Sequence, residues 1–232
     1  MSQIQITTLD GTIFNALLAM PEGGNGSGLI LIRGLFSKDD ALLDLAKHYA
    51  SLGFITVCPD LFHRQREDLE QTQHHETDWE LAARLYKSFD VEAGVRDLLG
   101  TLAHIRQMPE CGGKVGTVGY CLGARLAYLM ATRSDVDCAV SYYGVGIDKM
   151  LDEMYDIRSP YLIHLAENDK LMPPSTQQRI TTVLAKNKHI TVHVYPCAEH
   201  GFARKSSMAY NPELAAQANE RTDSFLKEVL QV

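Results

Sequence analysis

Cys121 lies in Val115-Gly116-Thr117-Val118-Gly119-Tyr120-Cys121-Leu122-Gly123, a β-rich apolar run that opens directly into the helical pattern Ala124-Arg125-Leu126-Ala127-Tyr128-Leu129-Met130. A side chain held at such a strand-to-helix turn projects above the strand end, and Gly119 and Gly123 keep β-carbons out of a space too tight for them. The N-terminus of the following helix favours a thiolate there. The chemistry implied is attack by sulfur on a carbonyl carbon. Taken alone, the segment also fits an ordinary βα turn around a small buried cysteine, so the choice rests on its partners.

A thiol nucleophile needs a base for its proton, and the base needs a carboxylate to fix its tautomer and stabilise the imidazolium. Asp169 follows the apolar run Tyr161 to Leu165 within Glu167-Asn168-Asp169, and His200 follows the run Ile190 to Tyr195 within Glu199-His200-Gly201-Phe202. Both fall just past the C-terminal ends of expected strands, the edge at which open α/β sheets place ligands. Nucleophile, acid and histidine thus appear in the chain order of an α/β-hydrolase. The developing oxyanion would be met by the backbone N–H of Leu122 and by one from Arg33-Gly34-Leu35-Phe36, the N–H of Leu35 being the choice.

The other histidines fit bland roles better. His74-His75-Glu76 lacks the spacing of a tetrahedral site and reads as a solvated loop. No metal is expected. His164 lies within a strand and reads as a satisfied core residue, His193 alternates with Val192 and Val194 and reads as outward-facing, and His63 is a cavity-lining candidate only.

These residues need a frame. Ile4 to Ile6 and Thr12 to Ala19 read as an antiparallel hairpin turning at Asp10-Gly11. Leu29-Ile30-Leu31-Ile32 lacks alternation, as a strand buried on both faces does. The helical spacing of Leu42, Leu45, Ala46 and Tyr49, the stop at Gly53 and the strand Phe54 to Cys58 complete a βαβ crossover. Asp60 to Glu76 has no period and reads as a long excursion over the strand ends. A capping box at Thr77-Asp78-Trp79-Glu80 opens one helix, and Val91, Val95, Leu98, Leu102 and Ile105 mark a second that Pro109 closes. Strands at Cys138 to Tyr142, Tyr161 to Leu165 and Ile190 to Tyr195 follow, with helices near 175–186 and from Asn211-Pro212 onward. Strand and helix alternate without repeat or linker, which predicts a mostly parallel, doubly wound α/β sheet with helices on both faces.

The chain has 232 residues, 45% hydrophobic and 22% charged, which suits one α/β domain over 1–232. A formal net charge of −7 argues against nucleic acid as a partner, and no apolar run approaches the ~20 residues of a membrane span. Five cysteines, odd in number and without a CxxC pair, suggest free thiols in a reducing cytoplasm.

Gly119-Tyr120-Cys121-Leu122-Gly123, Tyr142-Tyr143-Gly144-Val145-Gly146, Glu167-Asn168-Asp169 and Glu199-His200-Gly201-Phe202-Ala203-Arg204 together resemble the dienelactone hydrolase (carboxymethylenebutenolidase) family. The resemblance runs from about Leu29 to Leu226 and includes Val57-Cys58-Pro59-Asp60-Leu61, Phe89-Asp90-Val91-Glu92-Ala93-Gly94-Val95 and Asn219-Glu220-Arg221-Thr222. It implies the α/β-hydrolase fold, a Cys121, Asp169, His200 triad, and a pocket that includes Arg204, Trp79, Phe36, Tyr86 and Tyr143.

The departures matter as much. Where the family carries a glutamate that holds the resting cysteine, this chain has Gly34, so Cys121 and His200 are expected to pair even without substrate. Of two arginines that clamp a substrate carboxylate, Arg204 matches one, but the other falls on Trp79 and a nearby tyrosine position falls on Ala83. An indole cannot replace a guanidinium fork, which points toward a more apolar or aromatic ester unless Arg33, Arg64 or Arg66 supplies the second charge.

The expectation is a cytoplasmic hydrolase, most simply a monomer, that cleaves a small lactone or ester such as a dienelactone-like product of aromatic-ring degradation. It would need no cofactor and bind neither nucleic acid nor membrane. A thioesterase or general carboxylesterase with the same triad, and a non-catalytic binding protein that kept the fold, are the alternatives.

Overall fold

Unbroken apolar runs along the central strands dictate two buried faces, and both are filled. The structure, a computed structural model, describes residues 1–8, 10–34, 40–65 and 78–231. Its strands are β1 (Ser2–Thr7), β2 (Ile13–Ala19), β3 (Gly26–Ile32), β4 (Ile55–Pro59), β5 (Cys111–Tyr120), β6 (Cys138–Tyr142), β7 (Tyr161–Ala166) and β8 (Ile190–Tyr195). The α-helices are α1 (Asp40–Ser51), α2 (Asp78–Ser88), α3 (Val91–Gln107), α4 (Leu122–Arg133), α5 (Pro174–Leu184) and α6 (Pro212–Leu230).

The eight strands form one sheet in the order β1-β2-β4-β3-β5-β6-β7-β8. β1 and β2 pair antiparallel, as the hairpin reading expects, β2 pairs antiparallel with β4, and every other pair is parallel. On β3, Leu29 and Leu31 point to one face with Ala46 and Tyr49 of α1 and Ala218, Leu226 and Leu230 of α6. Ile30 and Ile32 point to the other, against Leu98 and Ile105 of α3, Leu126 and Leu129 of α4 and Ile180 of α5. This is the doubly wound sheet with helices on both faces. No helix among the described residues is long and apolar enough to cross a membrane.

The chain leaves β3 for β4 on one side and then returns to β5 on the other. α1 and α4, which follow β3 and β5, therefore lie on opposite faces, and the crevice between is the usual ligand position in such sheets.

Several details differ from the sequence reading. The predicted helix over 175–186 spans Pro174–Leu184, and a 3₁₀ stretch over Ile147–Asp156, kinked at Met150, is absent from the sequence reading although Ile147, Leu151 and Met154 lie at helical spacing. In the excursion from Asp60 a 3₁₀ turn covers His63–Gln65; residues 66–77, including Arg66 and His74-His75-Glu76, lie outside the described residues. His193 does not simply face solvent: it stacks on His164 at 6.0 Å between ring centres, and its neighbour Val194 is the exposed residue.

Candidate active site

β5 delivers Cys121 to the start of α4 in a conformation that few residues adopt: φ is 55° and ψ is −113°. Holding a non-glycine residue there costs on the order of 1–3 kcal/mol and persists only where surroundings enforce it. The surroundings here are close backbone approaches. A Cβ on Gly119 would lie 2.0 Å from the Gly123 carbonyl oxygen, and one on Gly123 would lie 2.1 Å from the Ile32 carbonyl oxygen. Both glycines are thus required by proximity rather than by φ. Leu122, 1% exposed, begins α4, and an N–H in the first turn of a helix has no intrahelical acceptor.

The strand ends are tied to one another by backbone hydrogen bonds that fix the loops bearing the other candidate residues. Cys121 N–H donates to Tyr142 C=O at 3.1 Å, Tyr143 N–H to His164 C=O at 2.8 Å, Glu167 N–H to Tyr195 C=O at 3.1 Å, and Asn168 N–H to Ala198 C=O at 2.8 Å. Across this lattice His200 reaches Asp169: Nδ1 is 2.8 Å from Asp169 Oδ2. The Asp169 carboxylate is buried, and its Oδ1 accepts the Leu171 N–H at 2.8 Å.

Burial alone would lower the pKa of His200, but hydrogen bonding to Asp169 and to Cys121 and their negative charge outweigh it and raise it to about 9. Cys121, His200 and Asp169 are therefore together at the strand ends. Tyr143, held at φ 41°, packs edge-on to the His200 ring with centres 5.0 Å apart. Burial raises its hydroxyl pKa well above the ordinary range.

A cavity of about 520 Å³ opens over Cys121 and His200. Of the expected pocket residues, Arg204, Tyr86 and Tyr143 line it. Leu35 and Phe36 lie outside the described residues, as does the side chain of Trp79 on α2. Arg33 also lines the cavity, whereas Arg64 is engaged elsewhere, its Nη2 2.6 Å from Asp97 Oδ1. His63 is a correction: it bonds Asp97 at 2.9 Å and stacks on Phe14 instead of lining this cavity.

Sequence reasoning missed one wall entirely. Leu42, Leu45 and His48 of α1, with Tyr210 and Asn219, line the cavity; Leu42 and Leu45 read as core residues because an apolar stripe looks the same against a core or a cavity. Of the described residues, no group of three or more His, Cys, Asp or Glu could hold a metal ion.

Residues 14–230 match the model of the dienelactone hydrolase family. The chain belongs to that family. It is 38% identical over 223 residues to a carboxymethylenebutenolidase of Pseudomonas putida, covering 96% of this chain and 94% of the relative. Carboxymethylenebutenolidase 1 of Cupriavidus pinatubonensis is 32% identical, with 96% and 95% covered. The fold recurs in a dienelactone hydrolase-like promiscuous phosphotriesterase from metagenomic libraries, with a TM-score of 0.80 at 19% identity and 98% of each chain covered. Membership makes this protein a carboxymethylenebutenolidase-like hydrolase of the α/β-hydrolase fold, and a small ester or lactone is the substrate such a hydrolase implies.

Proposed function

We propose that this dienelactone hydrolase-like enzyme opens a small lactone or ester through an acyl-enzyme on Cys121, with His200 as base and acid and Asp169 as its orienter. The Cys121 thiolate attacks the carbonyl carbon, and the C=O pair of electrons moves to oxygen to give an oxyanion held by the Leu122 N–H, with Leu35 the sequence-based choice for the second donor. Collapse breaks the bond to the leaving oxygen, which takes the proton of His200. Water then loses a proton to His200, attacks the thioester and releases the acid and the thiolate.

The observation that carries this reading is the 2.8 Å Asp169–His200 bond beside a cysteine in strained elbow geometry at the floor of a cavity. His200 stays an imidazolium to about pH 9, which supports its role as the acid that protonates the leaving oxygen. Arg33, Arg204 and Lys205 on the cavity wall favour a substrate carrying negative charge.

A carboxylesterase or thioesterase using the same triad is the second reading. Its support is the cavity volume, about 520 Å³, which falls among pockets of roughly 300–1,000 Å³ that take drug-sized ligands.

The test is alkylation followed by peptide mapping. Burial pushes the Cys58 thiol up to about 12 and raises that of Cys138 further, so neither should compete; Cys197 is the exposed control. Labelling of Cys121 ahead of Cys111 and Cys197, with parallel loss of ester hydrolysis, is expected. Hydrolysis that survives full labelling of Cys121 would refute the triad, and labelling without any turnover across a lactone and aryl ester panel would indicate a binding protein.

A further inference from the structure

Tyr86 on α2 reaches the same cavity as Cys121, and its hydroxyl meets two partners of different kind. The Val145 carbonyl, also on the cavity wall, accepts its proton at 3.5 Å, the outer limit of a hydrogen bond. The Arg125 guanidinium lies beside it from the first turn of α4, countering through charge and hydrogen bonding the rise that burial imposes on the Tyr86 pKa. Gly146, at φ 90°, packs against the Arg125 side chain: a Cβ there would lie 3.3 Å from Arg125 Cδ and 3.5 Å from Nε and Nη1. Its Nε is buried with no hydrogen-bond partner among the described residues, and no described carboxylate forms an ion pair with it.

We infer that Tyr86 donates a hydrogen bond to an oxygen of the bound substrate's acyl part, and that Arg125 is the positioning residue that makes it a donor. Guanidinium has five donors and no acceptor, so beside Arg125 the Tyr86 oxygen can only accept, and its own proton must go elsewhere. The long contact to Val145 is a weak resting place for that proton. A carbonyl, ether or carboxylate oxygen entering from the cavity offers a better one, and the positive field of Arg125 strengthens the donor. The specificity that follows is for lactones and esters with an acceptor oxygen beyond the reacting carboxyl group, over hydrocarbon acyl groups of equal size.

This inference rests on the proposed hydrolysis at Cys121, and 4-nitrophenyl methoxyacetate and 4-nitrophenyl butyrate keep the two separable. The leaving group and chain length are the same; one methylene is replaced by oxygen. Wild type that cleaves neither ester, or cleaves both equally after Cys121→Ala, would remove the parent reading. Given a working enzyme, Tyr86→Phe should lower kcat/KM for the methoxyacetate about tenfold and for the butyrate less than twofold. Arg125→Met should do the same, Arg125→Lys should recover most of the loss, and Tyr86→Phe/Arg125→Met should be no worse than Tyr86→Phe alone. Equal losses on both esters, no loss, or additive effects in the double variant would overturn the inference. If Arg125→Met fails to fold, the Tyr86→Phe selectivity ratio alone decides.

Discussion

Gly34 sits directly against Cys121: a Cβ built on it would lie 3.4 Å from the Cys121 Cβ and 3.4 Å from the Tyr120 carbonyl oxygen. A longer side chain at this position would have immediate access to Cys121. What the glycine leaves out is therefore a group that could compete for the resting proton. Gly34→Glu should slow iodoacetamide alkylation of Cys121 in the free enzyme several-fold, because the carboxylate repels the thiolate. Gly34→Ala, whose Cβ meets ordinary contacts, should leave it within about twofold, a small effect in free energy. Equal rates for Gly34→Glu and wild type would show that residue 34 has no influence on the nucleophile.

Cys121→Ala should remove hydrolysis by at least about 10⁴-fold, since members of a triad act as a unit. The fold should persist, because alanine removes only the sulfur and the glycines that permit the elbow remain. Cys121→Ser should fold as well but work poorly, a hydroxyl needing a stronger base than a thiol. Circular dichroism and initial rates on one aryl ester check both. Retention of most of the rate by Cys121→Ala would exclude the elbow as the reacting centre.

The His200–Asp169 bond gives a pH dependence with a definite sign. The folded-state pKa of His200, about 9, lies above its ordinary 6.5, so protonation favours the folded form: the contribution is complete below about pH 6.5 and is lost as pH rises through about 9. Because the imidazolium must protonate the leaving group, activity should likewise decline on an alkaline limb near pH 9. Asp169→Asn should move that limb downward and cost roughly 10⁴-fold, against roughly 10⁶-fold for His200→Ala. A kcat/KM profile flat from pH 7 to 10 would contradict the assignment.

The parts of this site that are legible in sequence share a physical cause: each is a local pattern with one structural solution. Gly119, Cys121 and Gly123 mark the elbow because only glycine survives 2.0–2.1 Å approaches of backbone oxygen to the Cβ position. Asp169 and His200 are legible as strand-end residues because parallel strands β7 and β8 must end at one sheet edge, and strand ends are visible as the close of apolar runs. His164 was also read correctly: it is buried against Tyr195 and Thr222, and burial pushes its pKa down to about 3. Long-range pairing left no such mark. His63 and Asp97 are 34 positions apart and meet only through the packing of the turn after β4 on α3. Arg125 is part of the helical run after the elbow, and nothing local tells that its guanidinium would lie beside Tyr86.

Arg204 offers a test of substrate charge. Together with Arg33 and Lys205 it makes the described cavity wall cationic, with Asp44 the acidic residue among the described lining. Arg204→Met should therefore lower kcat/KM for a carboxylate-bearing lactone about tenfold and for a matched neutral lactone less than threefold, and the difference should shrink at high salt as the charges are screened. A loss independent of substrate charge would assign Arg204 to packing. A loss for the neutral lactone alone would reverse the proposed preference.

The elbow itself can be tested independently of catalysis. A methyl group on Gly123 would penetrate the Ile32 carbonyl group, with the Arg33 carbonyl oxygen also only 2.8 Å away, and one on Gly119 would meet the Gly123 carbonyl and the Ala124 nitrogen. These are backbone atoms of β3, of the residue that follows it and of α4, so none can swing aside as a flexible side chain would. Relief would require separating α4 from β3, and with it the fully buried contacts of Leu126 and Ala127 against Ile32. Gly119→Ala and Gly123→Ala should each destabilise the protein by about 4 kcal/mol or more, at the severe end for single substitutions. Gly113→Ala is the contrast: its Cβ would meet nothing within 4 Å and only its φ of 92° is unfavourable, a cost of roughly 1–2 kcal/mol. Urea titration of the three variants separates the two mechanisms, because steric penetration predicts a large gap between the elbow glycines and Gly113. Comparable midpoints for all three would show that the backbone at the nucleophile is free to relax, and the strained Cys121 conformation would then no longer be attributed to enforcement by its neighbours.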